Sequence, residues 1–330
     1  MSTSTPDRNL AMELVRVTEA AALAAARYLG KGDRNACDKA AVDAMRLLLS
    51  TVDMDGVVVI GEGEKDEAPM LYNGERIGNG SAPQTDIAVD PIDGTRLLSL
   101  GLPNSVSVVA LSERGTMYSP GPIVYMNKIA VARPAKDAID IEAPVKDNLS
   151  NIARAYGKDL EDLTVCVLDR PRHNDLIAQI RAAGARLKLI SDGDVSGTLQ
   201  ASIETMSVDV LMGIGGSPEA VISAAALKCL GGNMQCQLWP RDESERKRGL
   251  DAGLNLKQVL GMDELVKSDN VFFAITGITD GELLQGVHYS GGGASTDSLV
   301  MRSKSGTIRR IKADHRWDKL MQFSQIAFDS

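Results

Sequence analysis

Short apolar runs of strand length, each fenced by Gly, Pro or Asp, recur along this chain and fix its class. They stand at residues 57–60, 87–89, 106–111, 123–131, 164–168, 186–190, 208–212 and 271–275. In the second half they alternate with helical stretches at 174–183, 195–203 and 219–230, the pattern of βα units on a partly parallel sheet. Ahead of the strands, apolar residues at helical spacing (Leu14, Val17, Ala21, Ala25, Tyr28) predict a helix over 10–29 that Gly30 and Gly32 terminate, and 36–49 predicts a second. The fold class is α/β. A chain of 330 residues is long enough for two packed domains. Residues 132–148, rich in Pro, Lys and Asp, precede the expected joint near 157–163, giving an N-terminal α/β domain 1–160 and a C-terminal α/β domain 161–330.

Composition narrows the partners. Only 4% of residues are aromatic against 44% hydrophobic, so Ala, Val, Ile, Leu and Met must fill the core, which suits close packing of helix on sheet. A formal net charge of -8 argues against a nucleic-acid or anionic-membrane partner, since either needs a dominant basic surface. Basic residues are therefore expected locally, around a small anion. The cysteines Cys37, Cys166, Cys229 and Cys236 stand singly, without a Cys-x-x-Cys pair, and read as buried reduced thiols. The polar N-terminus has no secretory pattern and no apolar run reaches membrane length, so a cytoplasmic location is expected.

The chemistry concentrates at strand ends. Asp90-Pro91-Ile92-Asp93-Gly94-Thr95 follows one apolar strand and precedes a helical run at 96–100. An Asp there projects into the crevice where open α/β sheets bind ligands. Pro91 restrains the turn, Gly94 allows a tight backbone, and the helix start offers N–H groups to an anion. Asp90, the Ile92 carbonyl and Asp93 are candidate oxygen ligands for a hard cation; the plainer alternative is a turn capped by Asp93 or Thr95. Gly61-Glu62-Gly63-Glu64, with Asp66 and Glu67 beyond, reads either as converging carboxylates or as a solvated acidic hairpin. Lys31-Gly32-Asp33-Arg34-Asn35 leads into a helix carrying Asp38, which also fits an ordinary helix start at Asn35. Brought together, Asp38, Glu62, Asp66, Asp90 and Asp93 repel one another unless cations neutralise them.

These residues resemble a known family. Asp90 to Thr95 looks like the signature of the lithium-sensitive metal phosphatase superfamily. Gly30 to Asn35, Ile60 to Glu64, Asp66 to Tyr72, Pro171-Arg172-His173, Asp192-Gly193-Asp194, Gly213 to Glu219 and Ser268-Asp269-Asn270 resemble the class II, GlpX-type fructose-1,6-bisphosphatases. The resemblance spans about residues 9–311. It implies a layered αβαβα fold with the metal site in the crevice between two domains, and Mn²⁺ or Mg²⁺ as cofactor. It implies metal ligands at Asp38 and Glu62 for one cation and at Asp90, Asp93 and Glu219 for another. Sugar-phosphate contacts are implied at Asp93, Gly94, Thr95, Tyr125, Arg170, Pro171, Arg172, Asp192, Gly193, Asp194 and Gly216. Thr95 is then expected to orient the attacking water and Asp66 to accept its proton. Asp93 stands where the family usually has Glu, a carboxylate one methylene longer. The implied reaction is hydrolysis of the 1-phosphate of fructose-1,6-bisphosphate, in gluconeogenesis or Calvin-type metabolism, by a homo-oligomer (dimer or tetramer). Sedoheptulose-1,7-bisphosphate and an inositol-monophosphatase-like activity are the alternatives.

Three other readings compete. Ser191 to Val195 after a strand superficially resembles an aspartyl-phosphate loop with Asp192 as nucleophile, which leaves the upstream carboxylates without a purpose. Gly213 to Glu219 resembles a dinucleotide loop, but Pro218 occupies the third glycine position. A regulatory module would bind sugar phosphate without releasing phosphate. Residues 301–312 read as a solvated hairpin or else as an anion or subunit contact, and the charged stretch 239–253, a solvated loop or exposed helix, carries no assigned chemistry. His173, His288 and His315 lack metal-ligand spacing, and His173 is either packed or near substrate.

Overall fold

The computed structural model describes residues 9–63 and 70–323, so Glu64, Asp66 and Glu67 lie outside the described residues. A large sheet holds β1 (Asp55–Ile60), β2 (Arg76–Ile77), β3 (Gln84–Asp93), β4 (Val106–Glu113), β10 (Phe272–Gly277), β11 (His288–Ser290), β12 (Gly293–Arg302) and β13 (Thr307–Arg316). Its order is β11-β12-β10-β4-β3-β1-β2, with β13 on the far side of β12. A smaller sheet holds β5 (Tyr125–Val131), β6 (Thr164–Leu168), β7 (Arg186–Ile190), β8 (Val210–Gly216) and β9 (Asn233–Leu238), in the order β7-β6-β8-β5-β9. Parallel pairing joins β1 to β3 and β6 to both β7 and β8; the other pairs are antiparallel.

Three helical layers alternate with these sheets. Helices α1 (Ala11–Ala25) and α2 (Arg34–Leu49) cover one face of the large sheet, Leu14 and Met45 meeting Val89, Val109 and Val300. Helices α6 (Asp194–Ser202) and α7 (Ser217–Leu230) lie between the sheets. α7 is apolar all round, as a helix sandwiched on both sides must be: its core touches Ala88, Val108 and Phe273 on one side and Met126 and Cys236 on the other. Helices α4 (Val145–Tyr156) and α5 (Asn174–Ala183) close the outer face of the small sheet over Ile129, Val165 and Val167. The result is the expected αβαβα order. Strands β3 and β4, covered on both faces, are accordingly buried almost without alternation.

Details depart from the sequence reading. The Pro-, Lys- and Asp-rich stretch runs on into a helix, which Pro144 opens as α4 and Gly157, at φ 65°, ends. The chain leaves the large sheet after β4 and returns to it at β10, so residue 160 falls within the segment that builds the small sheet. The hairpin around 301–312 is β12 and β13, longer than predicted. All four cysteines are free and buried. No helix among the described residues is long and apolar enough to cross a membrane.

One core carboxyl makes stability depend on pH. Glu19 of α1 is 8% exposed, and burial pushes its carboxyl up from 4.5 to about 7 although the Thr296 hydroxyl donates to it and Arg16 lies near. The folded protein therefore keeps a proton that the unfolded chain loses between those values. Its stability falls as pH rises through that window, by roughly 3 kcal/mol at most. Glu19→Gln is expected to raise the melting temperature at pH 8 by several degrees and to change it little at pH 5. Thermal melts at the two values check this; an equal shift at both points to a packing effect instead.

Candidate active site

The carboxylates gather where β1 and β3 end. β3 breaks its register with β4 between Asp90 and Asp93, where Pro91 withholds a ladder hydrogen bond, and the irregularity turns both side chains into the crevice. The Ile92 N–H donates to Asp90 Oδ1 at 3.1 Å, and the Ser196 N–H donates to Asp93 Oδ2 at 3.1 Å. Gly94, at φ 91°, reverses the chain into α3 (Thr95–Ser99), a single short turn of helix. The Thr95 hydroxyl donates to Asp38 Oδ1 at 2.8 Å. Asp38 rides on α2, whose cap is Asp33, accepting from Ala36 N–H at 3.0 Å, and not the expected Asn35. Glu62 follows β1, its N–H held by the Leu71 carbonyl at 2.9 Å. Glu219 enters from the first turn of α7.

These groups strain against one another. Burial, then Asp38 and Glu219, push Glu62 up to about 7. Asp90 is held well above the carboxylate range by burial, then by Asp93, Glu219 and Glu62. Asp93 is raised by burial and next by Asp194, and Glu219 likewise. Glu219 Oε2 is buried with no hydrogen-bond partner. Among the described residues no three acidic, thiol or imidazole side chains stand close enough together to hold a metal ion as placed. An all-oxygen set of buried carboxylates whose charges oppose one another, one with an orphaned oxygen, fits hard divalent cations.

The same cleft carries cations. Its volume is about 500 Å³, and Asp38, Asp90, Asp93 and Glu219 line it together with Arg34, Arg96, Arg170 and Arg172. Gly94 and Thr95 line it from α3, Tyr125 from the start of β5, Asp192, Gly193 and Asp194 from the loop after β7, and Gly216 from the end of β8. Asp192 joins the two halves, accepting from Arg170 Nη2 at 2.6 Å and standing 3.5 Å from Arg96. Pro171 begins the turn Pro171–His173 that presents the arginines. Arg172 gives Nε and Nη2 to the Ile214 carbonyl at 3.1 and 2.8 Å and lies 4.8 Å over the Tyr125 ring. Its orientation is thus fixed in advance.

Thirteen of the expected site residues line this one cleft. Glu62 does not line it but faces Asp38, Asp90 and Glu219 electrostatically, and Asp66 is outside the described residues. His173 is structural: Nδ1 faces the Leu168 carbonyl at 2.6 Å, and Nε2 accepts from Ile214 N–H at 2.7 Å, so the neutral ring ties β6 to β8. Sequence reasoning missed three features. Arg96 was read only as helix. The stretch 239–253 packs behind a cleft residue: Trp239 lies edge-on to Tyr125, Arg241 lies 6.0 Å from that ring, and buried Glu245 pins Arg241 and the Val124 N–H. Lys128, on the face of β5 that also carries Met126 and Ala130, is buried with its Nζ 2.5 Å from Asp194. Its signal was available, as a lone lysine at an inward position of an apolar strand.

The likenesses to known proteins agree with this geometry. The family described as bacterial fructose-1,6-bisphosphatase, glpX-encoded, matches residues 8–315. The class 2 fructose-1,6-bisphosphatase of Haemophilus influenzae is 46% identical over 333 aligned residues, 97% of this chain and 100% of that one. Fructose-1,6-bisphosphatase 1 class 2 of Escherichia coli K12 is 45% identical over 329, covering 94% and 96%. The crystal structure of extragenic suppressor protein suhB from Bartonella henselae aligns with a TM-score of 0.37 at 13% identity, over 70% of this chain and 86% of that one. With its motifs, cleft and near full-length relatives in register, the chain belongs to the glpX-encoded, class 2 family of fructose-1,6-bisphosphatases.

Proposed function

We propose that this chain hydrolyses the 1-phosphate ester of fructose-1,6-bisphosphate, giving fructose-6-phosphate and phosphate, with Mn²⁺ or Mg²⁺ as the metal. One observation carries the reading: a single cleft brings buried, mutually repelling carboxylates together with the guanidiniums of Arg170 and Arg172, which the protein holds in place. A sugar with two phosphates spans such a cleft. Cations held by Asp38 and Glu62, and by Asp90, Asp93 and Glu219, would polarise the phosphoryl oxygens and acidify water.

The chain's own groups do the rest. Thr95 gives its proton to Asp38, so its lone pairs remain to orient the attacking water. Arg172, with Nε and Nη2 engaged, keeps Nη1 for the phosphate that stays on the sugar, and Arg170, steadied by Asp192, flanks it. Tyr125 supplies an apolar face for the sugar carbons, and Gly216, having no side chain, leaves room for the Glu219 carboxylate beside it. Asp66 is assigned the water's proton from its motif alone. The reduced cysteines suit the cytoplasm. Exposed Leu29 and Leu100, beside loops joined by Gly30 N–H and the Leu98 carbonyl, suit a contact between copies of a homo-oligomer.

The test is phosphate release from fructose-1,6-bisphosphate, sedoheptulose-1,7-bisphosphate and fructose-1-phosphate, with Mn²⁺, with Mg²⁺ and in excess chelator. Fructose-1,6-bisphosphate should be turned over with metal and not without. It should exceed the monophosphate in kcat/KM by roughly 10- to 150-fold, the worth of one charge-assisted anchor of about 1.5–3 kcal/mol. Full activity in chelator, or equal efficiency on the two fructose phosphates, overturns the reading.

A further inference from the structure

Lys128 poses a question that the phosphatase reading leaves open. Its side chain is 2% exposed and enters from β5, with its ammonium between the small sheet and the acidic floor of the cleft. Burial opposes its charge, but Asp194, then Glu219, more than offset that, and it is a cation. Asp194 is its ion-pair partner at 2.5 Å. The same Asp194 is the foremost charged neighbour of both Asp93 and Glu219, so it stands within electrostatic reach of the candidate metal ligands. The Lys128–Asp194 pair is packed tightly against Gly215, where a methyl would overlap Asp194 and come within 2.9 Å of Lys128 Nζ, and the helix that Asp194 begins gives its Ser196 N–H to Asp93 at 3.1 Å. A carboxylate so placed would join any cation bound beside it unless something else claimed it.

We propose that Lys128 is a positioning residue whose ammonium withholds Asp194 from the cation-binding carboxylates, leaving the metal to Asp38, Glu62, Asp90, Asp93 and Glu219 and keeping Asp194 for the sugar. The inference rests on the phosphatase reading above. It has an electrostatic sign that a purely structural lysine lacks. A buried positive charge beside a metal site weakens cation binding, so its removal strengthens it. A lysine that only tied the sheet together would, when removed, loosen the site and weaken cation binding.

The experiment is calorimetric titration of Mn²⁺ into chelator-stripped protein: the parent, Lys128→Met, Asp194→Asn and the double variant. Loss of the ammonium should tighten Mn²⁺ binding by about tenfold or more in both backgrounds. Asp194→Asn alone should loosen it, because Lys128 is then unopposed. At saturating Mn²⁺, Lys128→Met should raise KM for the bisphosphate more than it lowers kcat, since the released Asp194 moves from sugar to metal. The double variant buries no unpaired charge and stays readable if Lys128→Met does not fold. Equal or weaker Mn²⁺ binding on removal of the ammonium, in whichever background folds, overturns the proposal. A parent that takes up no Mn²⁺ overturns instead the phosphatase reading beneath it.

Discussion

Replacing Asp90 by asparagine is expected to lower turnover by at least about 10²-fold, the scale of losing one transition-state charge contact, while raising the melting temperature of the chelator-treated protein. The two effects share a cause. Asp90 is buried among Asp93, Glu219 and Glu62, and every one of those charges opposes its own. An amide of the same shape relieves that repulsion and can still accept the Ile92 N–H now bonded to Oδ1. It cannot serve as an anionic ligand. Relief worth 1–2 kcal/mol corresponds to a rise of about 2–8 °C. Melts in chelator and in Mn²⁺, beside phosphate-release rates, measure both halves. A variant that is inactive and also less stable without metal would mean that Asp90 supports the turn and not the chemistry.

The second large effect is expected from one methyl group. Gly216 ends β8 with an ordinary extended backbone, φ −61° and ψ 141°, so alanine strains nothing in the main chain. Its Cβ, however, would overlap the Glu219 carboxylate. Glu219 is buried and fixed at the start of α7, so the overlap must drive the carboxylate from its place. Gly216→Ala should therefore weaken metal binding at least tenfold and lower kcat/KM by roughly 10²-fold or more, with a melting temperature in chelator within a few degrees of the parent. Gly291→Ala, with open space around it and no left-handed backbone, is the control for loss of a glycine. Unchanged metal affinity in Gly216→Ala would remove Glu219 from the ligand set.

How much of this was legible beforehand depends on whether the signal was local. The strand from Thr164 to Leu168 and the helix from Asn174 to Ala183 lie where apolar runs and turn residues put them. Asp90 to Thr95 and Gly213 to Glu219 announce themselves because strand, turn and helix start are contiguous. Arg241 gave no such signal. It lies in a charged stretch that reads as solvated, and long-range contacts bring that stretch to Tyr125: the pairing of β9 with β5, the Trp239 N–H on the Tyr125 carbonyl at 2.9 Å, and the bond from Val124 N–H to Glu245. The split of the chain between two sheets was equally hidden, since β4 pairs with β10 across some 160 residues and nothing in either strand names its partner.

That pairing has a consequence for how the protein is made. As the chain emerges from the N-terminus, the segment from β1 to β4 is complete long before residues 272–316 exist. Until then β4, buried along Val106–Ser112 in the finished protein, offers a bare apolar edge to any neighbouring strand. The acidic half of the cleft is synthesised in that same exposed interval. Non-local closure of this kind is slow and prone to aggregation. A chain released at residue 271 should therefore be recovered as aggregate, even though it contains every residue assigned here to metal and sugar.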